Sequence, residues 1–564
     1  MKQKHTIIPH RRPSPEAEEK EKKMLPFWAK WAIGYAAVPF FSIGLVYFWR
    51  VAFLAEALPA LSATLMVMGV CTLLYATLFL LVRFYDKKPC LRAALCTFAI
   101  GLLFCFFTAP LQAPDEDRHF FRAYAVSMGH FDYSAGRDYP DDADFLLQYF
   151  PNAMNHKIKY DAGLLVPQRL AQYHTALQTG EPAQVQVAES IQFMAVPYLA
   201  QAAFMATARL FGASALGMMY AGRIANLLCY TIICYFVFRN CSKYRGIFYA
   251  AALLPLSLFM AASCSTDSLA LAFCYLAVSY FCKAKIETRD VVCFALAVGV
   301  STYLKFTSIA LAPVLLLIPE ARWNSKWNPR RAVLLLLAGT LLAYQGLGML
   351  NNFNAASNGF VLSELPRGVG EGSSPSLQIQ SILSNPFAFF PRLLLTFIEE
   401  DAFLFGLGTL GWLDLTLPLV GGLSLLSLAS SSALGIQQKE DTKSTGAWAL
   451  LLASVFYIGA VMLALFVTHS QVGSIRITGL QPRYFLPAFL MLFMLGSIVL
   501  GKAVRPRLSA QATMLRTENI SLCIAAAIAL LAALLLFQSY FIGQWIPKAE
   551  GGWKLVNLFG WRQL

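Results

Sequence analysis

A chain of 564 residues that is 57% hydrophobic and 13% charged stands apart from ordinary soluble domains, in which about a quarter of the residues carry charge. In water it would expose long apolar surfaces, so the composition excludes a soluble enzyme and places the chain in a membrane. The net charge of +14 does not point to nucleic acid, because Lys and Arg gather in short loops between apolar runs, where they orient a membrane protein.

Residues 1–26 begin with "MKQKHTIIPHRRPSPEAEEKEKK", a polar stretch of mixed charge expected to be a disordered cytoplasmic tail. It lacks the layout of a cleaved signal peptide, so the first apolar run is expected to be retained. Residues 27–91 supply two spans, 31–49 and 58–82, and a third follows at 92–111. The basic segments "RFYDKKPCLR" (83–92), "RNCSKYR" (239–245), "KAKIETR" (283–289), "PEARWNSKWNPRR" (319–331) and "KAVRPRL" (502–508) are assigned to the cytoplasm. A long external loop, 112–215, comes next. Within it residues 191–211 approach spanning length, but a crossing there would turn every later basic loop outward. They are read as an interfacial or re-entrant helix.

Further spans are expected at 216–238, 246–262, 268–282, 290–304, 306–318 and 332–350. A second external loop, 351–412, precedes spans 413–434, 447–468, 484–501 and 520–538, giving about thirteen in all. Because lipid-exposed backbone must satisfy its own hydrogen bonds, the fold class is an all-α polytopic membrane protein. The parity puts Cys264 outside and Cys241 inside. Eight of the twelve cysteines lie in apolar runs, and no zinc-type spacing or disulfide framework is visible.

The densest charge lies at the mouth of the third span, in "APDEDRHFFRAY" (113–124). Pro114 suits a helix start, with Asp115, Glu116 and Asp117 in a first turn favoured by the helix dipole. A solvated acidic helix start is the plain reading, but it leaves the rest of the pattern unexplained. Asp115, Arg118, His119 and Arg122 recur at helical spacing on one face. An acid, an imidazole and two guanidiniums suit a phosphorylated substrate: the acid takes a proton or holds a metal, and the arginines neutralise phosphate.

The run "APDEDRHFFRAYAVSMGHF" resembles the Pro-Asp-Glu signature of the bacterial membrane family called domain of unknown function 2142, which is grouped with the GT-C glycosyltransferases. "LPLSLFMAASCSTDSLALAF" (254–273), "LGTLGWLDLTLP" (407–418) and "GLQPRYFLP" (479–487) extend the resemblance, in order, over a GT-C-like core at 92–502. Residues 503–564, with the last span and an external tail, fall outside it. The resemblance implies transfer of a sugar from a polyprenyl-phosphate donor to a cell-envelope glycan or lipid acceptor, on the external face of the bacterial inner membrane. It gives Asp115 or Glu116 the role of general base, metal ligand (Mg or Mn) or both.

Asp267, in "SCSTD", is either the cap of the next helix or, by the same resemblance, a second acid of the site. Arg483 opens a late span on the same external side as Asp115, and the resemblance implies a role at the donor phosphate, although snorkelling would also account for it. Arg223 and Lys305 interrupt apolar sequence near the external face and are candidates of the same kind. Trp412, in "GWLD", is a candidate for stacking on a sugar, although an interfacial aromatic belt would also account for it, and Asp414 beside it is a candidate for the substrate or its surroundings. His130, His156, His174 and His469 show no partner spacing. No phosphate loop or dinucleotide fingerprint is present, so no nucleotide cofactor is expected. A transporter or flippase for a lipid-linked sugar, and a polymerase or ligase using a lipid-diphosphate donor, are the competing readings. The transporter lacks support from internal repeats.

Overall fold

The computed structural model describes residues 27–43, scattered positions between 68 and 79, 88–132, a few positions between 139 and 183, 195–357, 372–399, 406–435 and 445–540, apart from 41, 242, 412–414, 504–509 and 538. The N-terminal tail, the C-terminal tail from 541, and the candidates Trp412 and Asp414 lie outside the described residues, as do His156 and His174. The chain divides into two units, Met1–Arg83 and Phe84–Leu564. In the first, helix α1 (Phe27–Tyr35) sets Trp31 edge-on against Tyr75 and Phe79, and the Tyr75 hydroxyl donates to the Trp31 carbonyl at 2.6 Å.

The second unit is a helical bundle. Its elements are α2 (Pro89–Phe107), α3 (Glu116–Ser127), α4 (Leu199–Leu210), α5 (Ala215–Asn240), α6 (Arg245–Ala252), α7 (Pro255–Ala261), α8 (Asp267–Ser279) and α9 (Thr288–Leu304). A 3₁₀ segment (Phe306–Leu317) follows, then α10 (Pro329–Ser357), α11 (Pro375–Ser384), α12 (Phe389–Glu399), α13 (Pro418–Gly435), α14 (Thr445–Thr468), α15 (Leu486–Ala503) and α16 (Ala510–Phe537). The described strands are four two-residue pieces forming two antiparallel pairs. The protein is an all-α membrane protein.

Among the described residues, seven helices are long and apolar enough to cross a membrane: Pro89–Phe107, Ala215–Asn240, Pro329–Leu350, Pro418–Gly435, Leu450–Thr468, Pro482–Leu500 and Arg516–Phe537. Several of the thirteen apolar runs take shorter forms. Residues 246–262 are not one span but two helices, α6 and α7, because Pro255 lacks an amide donor and restricts the residue before it. Residues 306–318 wind as a 3₁₀ segment containing Pro313.

Polar contacts mark two ends of the bundle. At one, Arg245 pairs with Glu518 at 2.9 Å, Arg92 donates to Asn519, Asn240 donates to the Ser279 hydroxyl at 3.1 Å, and Ile286 bridges to Trp323. The basic loops around 239–245, 283–289 and 319–323 therefore share one end. At the other end the close of α2, α3, the 263–267 turn, Lys305 and Arg483 converge. Helix α4 stays at this second end: Gln201 near its start donates to the Cys264 carbonyl at 3.1 Å, and Arg209 near its finish reaches the Ser127 carbonyl at 3.2 Å. Its 12 residues extend only about 18 Å, against a hydrocarbon core of ~30 Å.

Candidate functional site

The site forms where four chain segments meet. Helix α3 begins at Glu116 rather than Asp115. Asp115 precedes it in the left-handed region, φ 59°, and its side chain makes no capping bond. Leu111, four positions back, is also left-handed at φ 60°. Two non-glycine residues in that region within one short segment mean a sharply bent backbone that its surroundings must hold. The bend leaves the Asp115 carboxylate 44% exposed, with Oδ2 lying 3.7 Å from Arg483 Nη2.

Arg483 enters from a 3₁₀ turn, Pro482–Phe485, that leads into α15. Its Nε donates to Asp267 Oδ2 at 2.6 Å. Lys305 Nζ approaches both oxygens of the same carboxylate at 3.2 Å and sits 3.6 Å above the Tyr484 ring. Asp267 is the first residue of α8 and Thr266 takes the cap position, so the carboxylate is free of capping duty and serves the two cations. Two acids and two bases thus interlock. Their formal charges cancel.

Cys264 and Cys241 are both buried, so neither thiol can report on the side of the membrane it faces. A narrow cleft opens at the cluster, lined by Asp267, Leu271, Lys305, Tyr457, Arg483 and Tyr484. A second, lined by Pro114, Phe259, Met260, Leu410 and Gln481, meets it at Arg483.

His119 is buried, and its Nδ1 lies 2.7 Å from the Tyr198 hydroxyl. Burial holds the imidazole below its usual range, against the opposing pull of Asp115, Asp267 and Asp117. His119 therefore faces the charged cluster as a neutral group, rather than as a phosphate-binding cation. Arg118 is half-buried on the helix surface and makes no hydrogen bond or ion pair with the described residues.

Three further sequence-based assignments are corrected. Glu116 and Arg223 are fully buried and bond to each other through Nε–Oε1 at 2.7 Å and Nη2–Oε2 at 2.6 Å. The remaining Arg223 donors serve the Cys105, Thr108 and Ala109 carbonyls at 2.9, 2.7 and 3.0 Å. All five guanidinium N–H groups are occupied, which leaves none for a phosphate. Glu116 also accepts the Cys264 amide at 3.1 Å, so it is no general base. Arg122 turns away from the cluster and holds the Phe131 and Asp132 carbonyls at 2.8 and 2.7 Å.

The same contacts decide how the site could treat Mg or Mn. A divalent ion needs oxygen lone pairs, and both Glu116 oxygens are committed to Arg223. Asp267 is likewise committed to Lys305 and Arg483. Among the described residues no three acidic, histidine or cysteine groups converge as a metal site. The Asp115–Glu116 pair does not fit such an ion.

A family model described as "Predicted membrane protein (DUF2142)" matches residues 98–494, well over half of the chain. The chain belongs to the DUF2142 family. No curated protein and no solved structure matches it. The family match spans every residue of the charged cluster, from Asp115 to Arg483.

Sequence reasoning missed the side chains that frame this DUF2142 site. Asn226 donates through Nδ2 to the Ser263 carbonyl at 2.7 Å, the Ser265 carbonyl at 3.0 Å and the Ser268 hydroxyl at 2.8 Å. Its signal was present: a polar residue inside a span, three positions after Arg223, is costly unless it has a role. Tyr484, whose ring lies 3.6 Å from Lys305 Nζ, has its only sequence signal in its neighbour Arg483, in "QPRYF". Gln201 and Tyr198 carried no comparable signal, because only the fold brings α4 over the turn.

Proposed function

We propose that this protein is an inner-membrane glycosyltransferase of GT-C type, which moves a sugar from a polyprenyl-phosphate donor to a cell-envelope glycan or lipid acceptor. The observation that carries the reading is the half-exposed Asp115 carboxylate 3.7 Å from Arg483. A proton acceptor and a phosphate-binding cation are thereby side by side. The crowding of Lys and Arg at the opposite end of the bundle supports a site on the external face, by the positive-inside rule. A lipid-phosphate donor suits that face, since nucleotide sugars are supplied in the cytoplasm.

In this reading the Asp115 carboxylate accepts the proton of the acceptor hydroxyl as its oxygen bonds to the sugar C1. The C1–O bond to phosphate breaks and its electron pair leaves with the phosphate. Arg483, oriented by Asp267, and Lys305 neutralise the charge that develops there. The proton gained by Asp115 offsets the negative charge gained by the departing phosphate, so the charge of the whole site is unchanged. No step requires Glu116, Arg122 or Arg223.

Mass spectrometry of lipids retained by the purified protein tests the proposal. A polyprenyl-phosphate sugar bound to the wild type and lost from Arg483→Ala is the expected result. A sugar on a lipid diphosphate would favour a polymerase or ligase instead. Ordinary phospholipids alone, in both proteins, would remove the donor assignment.

A further inference from the structure

The two carboxylates that contact Arg483 come from distant segments, yet both hang from one buried ion pair. Glu116 directly follows Asp115, and its Oε1 accepts the amide of Cys264, three residues before Asp267. Arg223 grips the Ala109 carbonyl at one side of the bent segment and Glu116 at the other. Both left-handed residues, Leu111 and Asp115, lie between those two holds. One helical turn further along α5, Asn226 secures the 263–268 turn by three hydrogen bonds.

We infer that Glu116 and Arg223 are positioning residues, which fix the spacing of the Asp115 and Asp267 carboxylates about Arg483 without touching substrate. The inference rests on the proposed transfer only for the purpose that this spacing serves. A left-handed aspartate has no local reason to persist, because a non-glycine residue there is strained and this one makes no capping bond. The constraint is supplied from both sides by a guanidinium whose planar fork is matched to five acceptors. An ammonium at the same place carries the charge but only three donors, so it leaves part of the five-acceptor grip on the segment unmade.

Arg223→Lys and Glu116→Asp test this, since each keeps its charge and loses the bidentate geometry. Amide hydrogen exchange is measured on the full-length protein in detergent, and Arg245→Lys, at the opposite end of the bundle, serves as control. In both test variants the amides of 115–117 and of 263–268 are expected to exchange about ten- to a hundredfold faster together, the factor that one lost charged hydrogen bond supplies. Protection of α15 and α16 is expected to stay at the wild-type level, and the control should leave both segments unchanged. Where turnover of a polyprenyl-phosphate sugar is measured, kcat should fall and the donor KM rise together, because a loosened Asp267 no longer fixes Arg483. Wild-type protection of 263–268 in both variants would overturn the inference. Wholesale loss of protection in both would also overturn it, because the pair would then hold the bundle and not the site. The exchange measurement needs no donor, so it stands apart from failure of the transferase reading.

Discussion

Arg483 Nη2 stands 3.7 Å from Asp115 Oδ2, close enough for attraction but longer than a hydrogen bond, while the Nε of the same guanidinium is held by Asp267 at 2.6 Å. One arginine therefore has a tight partner and a loose one. The tight partner fixes its position. The loose partner remains exposed enough to take a proton, and this asymmetry gives the two aspartates different parts.

Asp115→Asn is expected to abolish sugar transfer, by the ~10²–10⁴-fold that a positioned proton acceptor supplies. Its effect on folding should be small, about 0.3–1 kcal/mol, because the side chain is half-exposed and forms no cap. Turnover and the thermal midpoint measured on one preparation check both halves. Unchanged turnover would remove the proposed base.

Arg483→Ala should weaken donor binding by roughly ten- to a hundredfold, the equivalent of about 1.5–3 kcal/mol for one charged hydrogen-bonding partner. Arg483→Lys should fall between the wild type and Ala. It retains the charge but cannot engage Asp267 and phosphate through separate nitrogens of one plane. Titration with a short-chain polyprenyl-phosphate sugar would show the order, and an equal loss for Lys and Ala would contradict it.

His119 sets an acid limit on stability. Burial puts its folded-state pKa below that of the unfolded chain, so the folded protein binds fewer protons and loses stability as pH falls. The loss begins near the ordinary histidine value of about 6.5 and continues down through the lowered one. His119→Gln should remove the part of the wild type's decline in thermal midpoint that sets in as pH falls through about 6.5. A decline of equal size in the variant would assign the acid limit to other groups.

Chelation provides a separate check on the acids. Because Glu116 and Asp267 are committed to cations of the protein itself, EDTA should leave transfer unchanged. Activity that falls with EDTA and returns with Mg or Mn would mean that Asp115 recruits an ion together with the substrate.

The orientation can be read from exposed positions. In a cysteine-free background, a single cysteine replacing His130, at the site end, should react with an impermeant thiol reagent added outside. One replacing Lys285, in a basic loop, should react only after the membrane is opened. Both positions are exposed, unlike Cys264 and Cys241. Reversed labelling would put the site in the cytoplasm and remove the argument for a lipid-phosphate donor.

Sequence by itself determined the class of this protein, because apolar composition and the hydrogen-bonding demand of lipid leave helices as the choice. It also singled out Asp115, Asp267, Lys305 and Arg483, since charge inside or beside an apolar run is costly and therefore informative. What it could not decide was how those charges are shared. Glu116 sits beside Asp115 with the same chemistry, and Arg223 interrupts its span much as Lys305 ends one. Only the packing of α2, α3, α5 and the 263–267 turn commits Glu116 and Arg223 to each other and leaves Asp115 exposed. Partner choice among like charges depends on which groups are brought within about 3 Å in a space without water. Such distances between segments far apart in the chain exist only after the helices have packed.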